Sequence, residues 1–180
     1  MSHSLQLQQL SDSLEGTLFY DELHTTIYAT DASAYRIKPV AVAIPKTEDD
    51  IVKIIRFADQ DKISITPRTA GTSLAGQTVG NGIIVDVSKY FTKIVAFDRT
   101  NKTVTVQPGV IRDELNLFLK PHGLFFGPNT STSNRCMIGG MVGNNSSGTT
   151  SIRYGVTRDK IVEIKAVLSD GRIAVFYEMS

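Results

Sequence analysis

Apolar positions along the chain repeat with two periods, and the longer one, close to that of an α-helix, predicts helical segments. The apolar stripes are Leu7, Leu10 and Leu14; Ile51, Ile54, Ile55 and Ala58; and Ile111, Leu115, Phe118 and Leu119. Thr47 precedes three acidic residues, as an N-cap does, and this helix is expected to reach about Asp61. In the last helix, we expect Arg112, Asp113 and Glu114 on the solvent side.

Short runs of apolar and β-branched residues, bounded by turn residues, predict strands. They cover residues 40–44, 63–66, 83–87, 94–97, 103–107, 161–168 and 173–177. In the run 161–168, Glu163 and Lys165 share one face and apolar residues the other, which is typical of a half-solvated antiparallel strand. Residues 16–38 are polar and without period, so we expect irregular chain there. The order strand, helix, strand over residues 40–66 predicts a βαβ unit in an α+β or mixed α/β fold.

The segment from Pro67 to Gly76, PRTAGTSLAG, follows a predicted strand and has the composition of an anion-binding loop. We name it the first glycine loop. Its small residues let a ligand approach the main chain, and successive N–H groups in such a loop form a concave anion site. Arg68 adds a planar charged fork suited to phosphate. The segment therefore predicts a pyrophosphate site, and Asp31 and Tyr35 upstream are interpreted as local hydrogen-bonding residues.

Two other interpretations of the first glycine loop remain open. From Gly71 to Gly76 it has P-loop spacing, but Gln77 stands where a P-loop has its lysine, which disfavours a nucleoside triphosphatase. The dinucleotide fingerprint G-x-G-x-x-G is absent from the sequence. An ordinary surface turn is the remaining alternative.

A second glycine-rich segment runs from Gly127 to Gly155, and we name it the second glycine stretch. It is too long for an idle loop in a compact domain, because such segments are usually functional or disordered. Its glycines permit close approach to the main chain, and its serines and asparagines supply neutral hydrogen-bonding groups. This composition predicts a site for a polar ligand, although Asn and Ser also satisfy their own turns.

Composition narrows the classes of partner. The 180 residues suggest one domain, of one or two lobes, and the net charge of +1 without a basic cluster disfavours nucleic acid and anionic membranes. A single cysteine, Cys136, excludes an internal disulfide and fits a reducing, cytoplasmic compartment. Three scattered histidines predict no metal site. No signal-peptide pattern and no run of about 20 apolar residues is present.

Four motifs in this order resemble the FAD-binding domain of the FAD-linked oxidase superfamily, also called the vanillyl-alcohol oxidase or PCMH-type family. They are RTAGTSLAG, VQPGV, LKPHGLFFGPNTSTSNRCMIGGMVGNNSSG and YGVTRDKIVEIKAVLSDGR. Within it the chain looks similar to bacterial D-lactate and D-2-hydroxyglutarate dehydrogenases that carry a fused iron–sulfur region. The resemblance implies an α+β fold with a small βαβ lobe and a larger mixed or antiparallel lobe. It also implies a lead-in (1–38), a first lobe with the pyrophosphate loop (39–90) and a second, truncated lobe (91–180).

The resemblance further implies which residues bind FAD. They are Pro67, Arg68, Thr69, Ala70, Gly71, Thr72, Ser73, Leu74, Gly76 and Gln77 at the pyrophosphate; Pro128, Ser131, Ser133, Ile138, Gly139 and Gly140 on the ribityl and flavin side; Asn144, Asn145, Ser146 and Gly148 around the same cavity; and Ile161 and Val162 at the adenine end or flavin edge. Relatives that tether FAD use a histidine in the first loop. Here Gly71-Thr72-Ser73 stands in that region, which implies a noncovalent flavin.

By this resemblance the protein is a flavin-dependent dehydrogenase that oxidises a D-2-hydroxy acid by hydride transfer to FAD. The chain ends at Ser180, before the segments that complete the flavin domain and bind substrate in the family, so we expect a fragment that binds FAD weakly and does not turn over. The catalytic residues are expected outside it, and the electron acceptor is not specified. Other members of the fold, a cell-wall precursor reductase or the flavin subunit of a molybdenum hydroxylase, and a non-catalytic nucleotide-binding module remain alternatives. Peripheral association of the longer protein with a membrane is also left open.

Overall fold

Helices and short strands alternate along the computed structural model, which describes residues 3–177. The elements are α1 (His3–Ser13), β1 (Thr17–Phe19), α2 (Glu22–Ile27), β2 (Ala41–Ile44), α3 (Glu48–Gln60), β3 (Ile65–Arg68), β4 (Ile83–Asp86), β5 (Ile94–Asp98), β6 (Thr103–Val106), α4 (Arg112–Leu119), α5 (Ile138–Gly143), α6 (Ser151–Tyr154), β7 (Glu163–Val167) and β8 (Ile173–Tyr177). Short 3₁₀ turns cover Lys120–His122 and Thr157–Lys160. No helix among residues 3–177 is long and apolar enough to cross a bilayer.

The chain divides into two units. The first unit extends to Arg68, continues from Ser73 to Tyr90 and resumes at Glu163, and the second comprises Thr69–Thr72 and Phe91–Val162. The lead-in and the hairpin β7–β8 contact strands and helices of the first unit. The division into a lead-in and two lobes at residues 38 and 90 stays a prediction.

The first unit is built on a four-stranded sheet in the order β1-β2-β4-β3. Strands β2 and β3 both run parallel to β4, and α3 connects them, so the predicted βαβ unit is present with β4 between its strands. Thr47 caps α3 as predicted, since its Oγ1 accepts a hydrogen bond of 3.2 Å from the main-chain N–H of Asp50. The first glycine loop therefore begins at the carboxyl end of β3.

The core of this unit confirms the predicted apolar stripes. Leu7 and Leu10 of α1 are buried with Ile54 of α3 against Ile83 and Val85 of β4. Burying one such side chain contributes about 1.5–3 kcal/mol, so this cluster orients α1 and α3 on the sheet.

Asp50 is a buried carboxylate in the first turn of α3. It accepts main-chain hydrogen bonds from Glu15 and Gly16, both of 2.9 Å, and from Lys46, of 2.8 Å. Burial acts to raise the pKa of Asp50, but these donors outweigh it and hold the pKa below its usual value. The side chain thus joins the segment after α1 to the segment before α3.

The second unit contains the predicted hairpin β5–β6 and the predicted helix α4. Val110, Leu115 and Leu119 are buried with Cys136, Ile138 and Met141 in its core. Sγ of Cys136 lies 3.6 Å from Sδ of Met141, so the cysteine is a packed core residue.

The expectation of irregular chain over residues 16–38 was wrong. Residues 17–19 form β1, which pairs antiparallel with β2, and Asp21 caps α2 by accepting from the main-chain N–H of His24 at 3.1 Å. A strand of three residues and a helix of six are shorter than the window in which periodicity can be recognised. Only pairing with β2 reveals β1.

The hairpin β7–β8 is antiparallel as predicted, but its apolar face is not buried. Ile164 and Phe176 oppose each other across the strands and are 38% and 54% exposed. Lys165 forms an ion pair of 2.7 Å with Glu48 of α3, so the charged face, and not the apolar one, contacts the first unit.

Candidate functional site

The first glycine loop begins at the carboxyl end of β3, where ligands of parallel sheets commonly bind. Gly71 and Gly76 have φ of 65° and 70°, in the left-handed region that favours glycine. Among residues 3–177, the main-chain N–H groups of residues 69–74 find no acceptor. The loop therefore presents a row of main-chain donors that the fold itself does not use.

Ser73 bonds residues in and just after the first glycine loop. Its Oγ donates to Gln77 Oε1 at 2.7 Å and accepts from the main-chain N–H of Ala75 at 3.1 Å. Leu74 is 80% exposed. The contacts of Ser73 therefore shape the second half of the loop.

The side chain of Arg68 stabilises the loop through bonds to main-chain carbonyl groups. Its NH1 donates to the carbonyl oxygen of Thr30 at 2.9 Å, and to those of Tyr28 and Thr78 at 3.5 Å, and the guanidinium lies 5.0 Å from the ring of Tyr28. One nitrogen of the Arg68 guanidinium, which was predicted to bind phosphate, therefore donates its hydrogen bonds to protein carbonyl groups. The hydroxyl of Tyr28 donates to Asp86 at 2.7 Å, and burial, reinforced by that carboxylate, raises the pKa of Tyr28.

Asp31 and Tyr35 hold the far end of the loop. Oδ2 of Asp31 accepts from Oγ1 and the main-chain N–H of Thr78 at 3.0 and 3.4 Å, and Oδ1 accepts from Ser33 at 2.8 Å. A Cβ on Gly76 would lie 2.6 Å from the Tyr35 ring. The prediction of local hydrogen bonds was correct for Asp31 and for Tyr35, whose main-chain N–H donates to Ser33 Oγ at 3.1 Å, but it missed the bond from Thr78, which is 47 residues from Asp31. Burial acts to raise the pKa of Asp31, and the bonds from Ser33 and Thr78 hold it below its usual value.

The second glycine stretch meets the start of the first glycine loop inside the second unit. A Cβ on Gly140, in the first turn of α5, would lie 2.7 Å from Oγ1 of Thr69. A Cβ on Gly139 would lie 2.4 Å from Cβ of Pro108. A side chain at Gly140 would displace Thr69, so this glycine allows the two predicted segments to come together, and Gly139 allows the same close approach to Pro108.

The polar residues after α5 mainly stabilise their own turns. Asn144 Nδ2 donates to Ser146 Oγ at 3.1 Å, and Asn145 Oδ1 accepts from the main-chain N–H of Arg158 at 3.0 Å. The carbonyl of Ser146 accepts from the hydroxyl of buried Thr157 at 2.6 Å. A Cβ on Gly148 would lie 1.7 Å from the carbonyl oxygen of Asn129, so these turns pack against the start of the stretch.

The other predicted site residues differ in their exposure to solvent and in their main-chain hydrogen bonds. Pro128 and Ile138 are buried and Ser131 is exposed. The N–H of Ile161 donates to the carbonyl of Arg158 at 3.2 Å, which leaves its carbonyl as the group that could meet a ligand. Val162 is 61% exposed. Pro67 and Gln77 are also exposed.

The sequence did not indicate a role near the site for three residues on the first turns of α4, which are Arg112, Asp113 and Asn116. Arg112 was expected on the solvent side, but its side chain is only 12% exposed and its Nε donates to the carbonyl of Pro128 at 3.0 Å. The prediction for Arg112 was wrong because a charged residue at a helix start gives no sign of the carbonyls that will face it. No group of three or more His, Cys, Asp or Glu suited to a metal occurs in the described part of the chain.

The chain is similar to several known proteins. The model of one family, described as FAD binding domain, matches residues 39–177. A D-2-hydroxyglutarate dehydrogenase of Haemophilus influenzae is 47% identical over 148 residues, 81% of this chain and 14% of that enzyme. The glycolate oxidase subunit GlcD of Bacillus subtilis is 36% identical over 149 residues, 82% of this chain and 32% of that subunit. The solved structure of wild-type BBE-like 1 from Physcomitrella patens has a TM-score of 0.83 at 21% identity, over 95% of this chain and 37% of that one.

Proposed function

The chain belongs to the FAD-binding domain family, and from that premise we propose that it holds the flavin of a dehydrogenase that oxidises a D-2-hydroxy acid. The predicted α+β fold of the PCMH type is confirmed by the solved structures that it resembles. The chain spans 14% of the length of the Haemophilus influenzae relative, and we therefore assign the proposed activity to a longer protein of which this chain is one part.

The first part of the donor row, at residues 69–72, is the observation that carries the proposal. Its N–H groups have no acceptor among residues 3–177, and Gly71 at φ 65° lets consecutive amides turn toward one ligand. Hydrogen bonds to a charged acceptor contribute about 1.5–3 kcal/mol each, so a few of them can anchor a diphosphate. A neutral small ligand would gain less from the same groups.

The second unit fits the remainder of the cofactor by its chemistry. Gly140 lies against the side chain of Thr69, so its own main chain, without a side chain, comes close to the first glycine loop. The segment Gly71-Thr72-Ser73 offers neither histidine nor cysteine for a covalent bond, which supports noncovalent binding. When bound, FAD accepts a hydride equivalent from the substrate. The residues of this chain bind and orient the cofactor, and we place no catalytic group among them.

The names of the relatives support the substrate class. The D-2-hydroxyglutarate dehydrogenase is more similar to this chain than the glycolate oxidase subunit, at 47% against 36% identity, which favours D-2-hydroxyglutarate as the first acid to try. The fused iron–sulfur region and the cytoplasmic location stay predictions, and the electron acceptor stays unspecified.

The first experiment tests cofactor binding by titration calorimetry of the 180-residue chain with FAD, ADP and riboflavin. We expect weak FAD binding, detectable ADP binding, and riboflavin binding about 100-fold weaker than FAD, because riboflavin lacks the diphosphate that meets the donor row. Equal affinity for FAD and riboflavin would contradict a diphosphate site. Hydrolysis of ATP by the chain would instead support the nucleotide-binding alternative.

The second experiment uses the longer protein that contains this chain, loaded with FAD. Reduction of an artificial dye is measured with D-2-hydroxyglutarate, D-lactate and glycolate, and with the L-enantiomers of the two chiral acids as controls. We expect reduction with at least one of the three acids and none with the L-forms. A flavin-loaded protein that oxidises none of them would contradict the proposed substrate class while leaving FAD binding intact.

A further inference from the structure

The segment Pro128–Ser133, at the start of the second glycine stretch, is held at both ends by the first turn of α4. Arg112 Nε donates to the carbonyl of Pro128 at 3.0 Å, and its NH2 donates to the carbonyl of Phe126 at 3.4 Å. At the other end, Asp113 Oδ2 accepts from Ser133 Oγ at 3.0 Å, and the N–H of Asp113 donates to the carbonyl of Ser133 at 3.2 Å.

One ion pair joins the two ends. NH1 of Arg112 lies 2.7 Å from Oδ1 of Asp113, and the arginine side chain is largely buried. We name Arg112 and Asp113, with their contacts to Phe126, Pro128 and Ser133, the Arg112 clamp. Removing Asp113 would leave the largely buried guanidinium of Arg112 without its ion pair, which is costly. The two side chains also make three hydrogen bonds to this part of the chain, so the clamp is more than a single surface ion pair.

The middle of the clamped segment has unused donors. The main-chain N–H groups of residues 129–132 have no acceptor within the part of the chain that the structure describes. Ser131 is exposed. A segment whose ends are fixed by a charged network and whose central amides make no bond in the fold is preorganised for a ligand that accepts hydrogen bonds.

We propose that Arg112 is a positioning residue, which through Asp113 fixes the amides of residues 129–132 as a second donor row for the acceptor groups of FAD outside its diphosphate. The inference rests on the proposed function. The guanidinium fork is required because it bonds two carbonyls and a carboxylate at once, whereas a lysine ammonium at the same place is a point charge with a different donor geometry.

The test compares Arg112→Lys and Arg112→Ala with Leu115→Ala in the 180-residue chain. Leu115 is buried one turn further along α4 and makes none of the clamp contacts, so its truncation lowers stability without releasing the segment. We expect Kd for FAD to rise about tenfold in Arg112→Lys and more in Arg112→Ala. Leu115→Ala should bind FAD with nearly wild-type affinity under conditions in which it remains folded.

A second readout is independent of the cofactor. Hydrogen exchange of the FAD-free chain should accelerate over residues 126–133 in both Arg112 variants, and Arg112→Lys keeps the experiment informative if Arg112→Ala does not fold. Wild-type affinity in the Arg112 variants, or losses that only follow their stability as in Leu115→Ala, would overturn the inference. Failure of the wild-type chain to bind FAD would instead overturn the proposed function, and faster exchange would still report the clamp.

Discussion

The two rows of main-chain donors in this molecule are held in place in different ways. In the first glycine loop, residues 69–74 are shaped by a glycine at positive φ and by few side-chain contacts. In the second glycine stretch, residues 129–132 are kept in place by a charged clamp from a neighbouring helix. The difference implies that substitutions in the first loop change ligand affinity more than stability, whereas substitutions around the second stretch change both.

The rest of the second glycine stretch shows what supports the clamped segment. Asn145, which has φ of 46°, and Thr157 direct their bonds to neighbouring turns, and Gly148 packs against Asn129. Polar residues that looked like ligand contacts from their composition are mostly internal braces. That the region surrounds a polar ligand stays a prediction from its composition, and composition does not distinguish residues with free donors from residues that stabilise turns.

Among the substitutions that test this comparison, the largest effect on the affinity for FAD is expected from Gly71→Ala, with Gly123→Ala as its matched control. Both glycines have positive φ, of 65° and 71°, so alanine should cost each about 1–2 kcal/mol of stability. A Cβ at Gly123 meets nothing within 4 Å. We expect Kd for FAD to rise about 30-fold in Gly71→Ala alone, since one displaced charge-assisted bond contributes about 2 kcal/mol. Titration calorimetry measures Kd and urea denaturation measures stability, and equal affinities in both variants would contradict a role of Gly71 in binding the cofactor.

A smaller effect is expected from Thr157→Val, which keeps the shape of a buried side chain and removes its hydroxyl. The carbonyl of Ser146 would lose its 2.6 Å bond from Thr157 Oγ1, at a cost of about 1–2 kcal/mol in the free energy of unfolding. We expect FAD affinity to fall no more than about threefold, because the hydroxyl braces a turn and does not meet the ligand. A larger loss of affinity at unchanged stability would show that Thr157 or Ser146 contacts the cofactor directly.

The smallest effect is expected from Asp31→Asn, which weakens the brace at the end of the first glycine loop. The folded pKa of Asp31 is lowered from 3.8, so its contribution is present above about pH 3.8 and is lost as pH falls through the folded pKa. Wild type and variant should therefore differ by about 1 kcal/mol in unfolding free energy at pH 7, and by progressively less below pH 3.8. Urea denaturation at a series of pH values measures this. A difference that grows on acidification would mean that the carboxylate destabilises the folded chain.

Much of the secondary structure follows from the sequence because it depends on local pattern. The stripes of α1, α3 and α4, the N-cap at Thr47 and the hairpin β5–β6 all rest on spacings of a few residues. The position of the first glycine loop after a parallel strand was predictable for the same reason. Short elements such as β1 were not, since a strand of three residues exists only by pairing with β2.

The sequence was enough to locate the two glycine-rich segments, because glycine and small residues can be read directly from it, and the family followed from the resemblance of four motifs to known proteins. The partners of Arg112, Asp31 and Gly140 became known only from the folded chain, which brings Pro128, Thr78 and Thr69 to them across the sequence. A charged or small residue carries no local sign of which distant carbonyl or side chain it will meet. Long-range packing determines these partners, and it also determines which main-chain N–H groups are left without an acceptor in the fold.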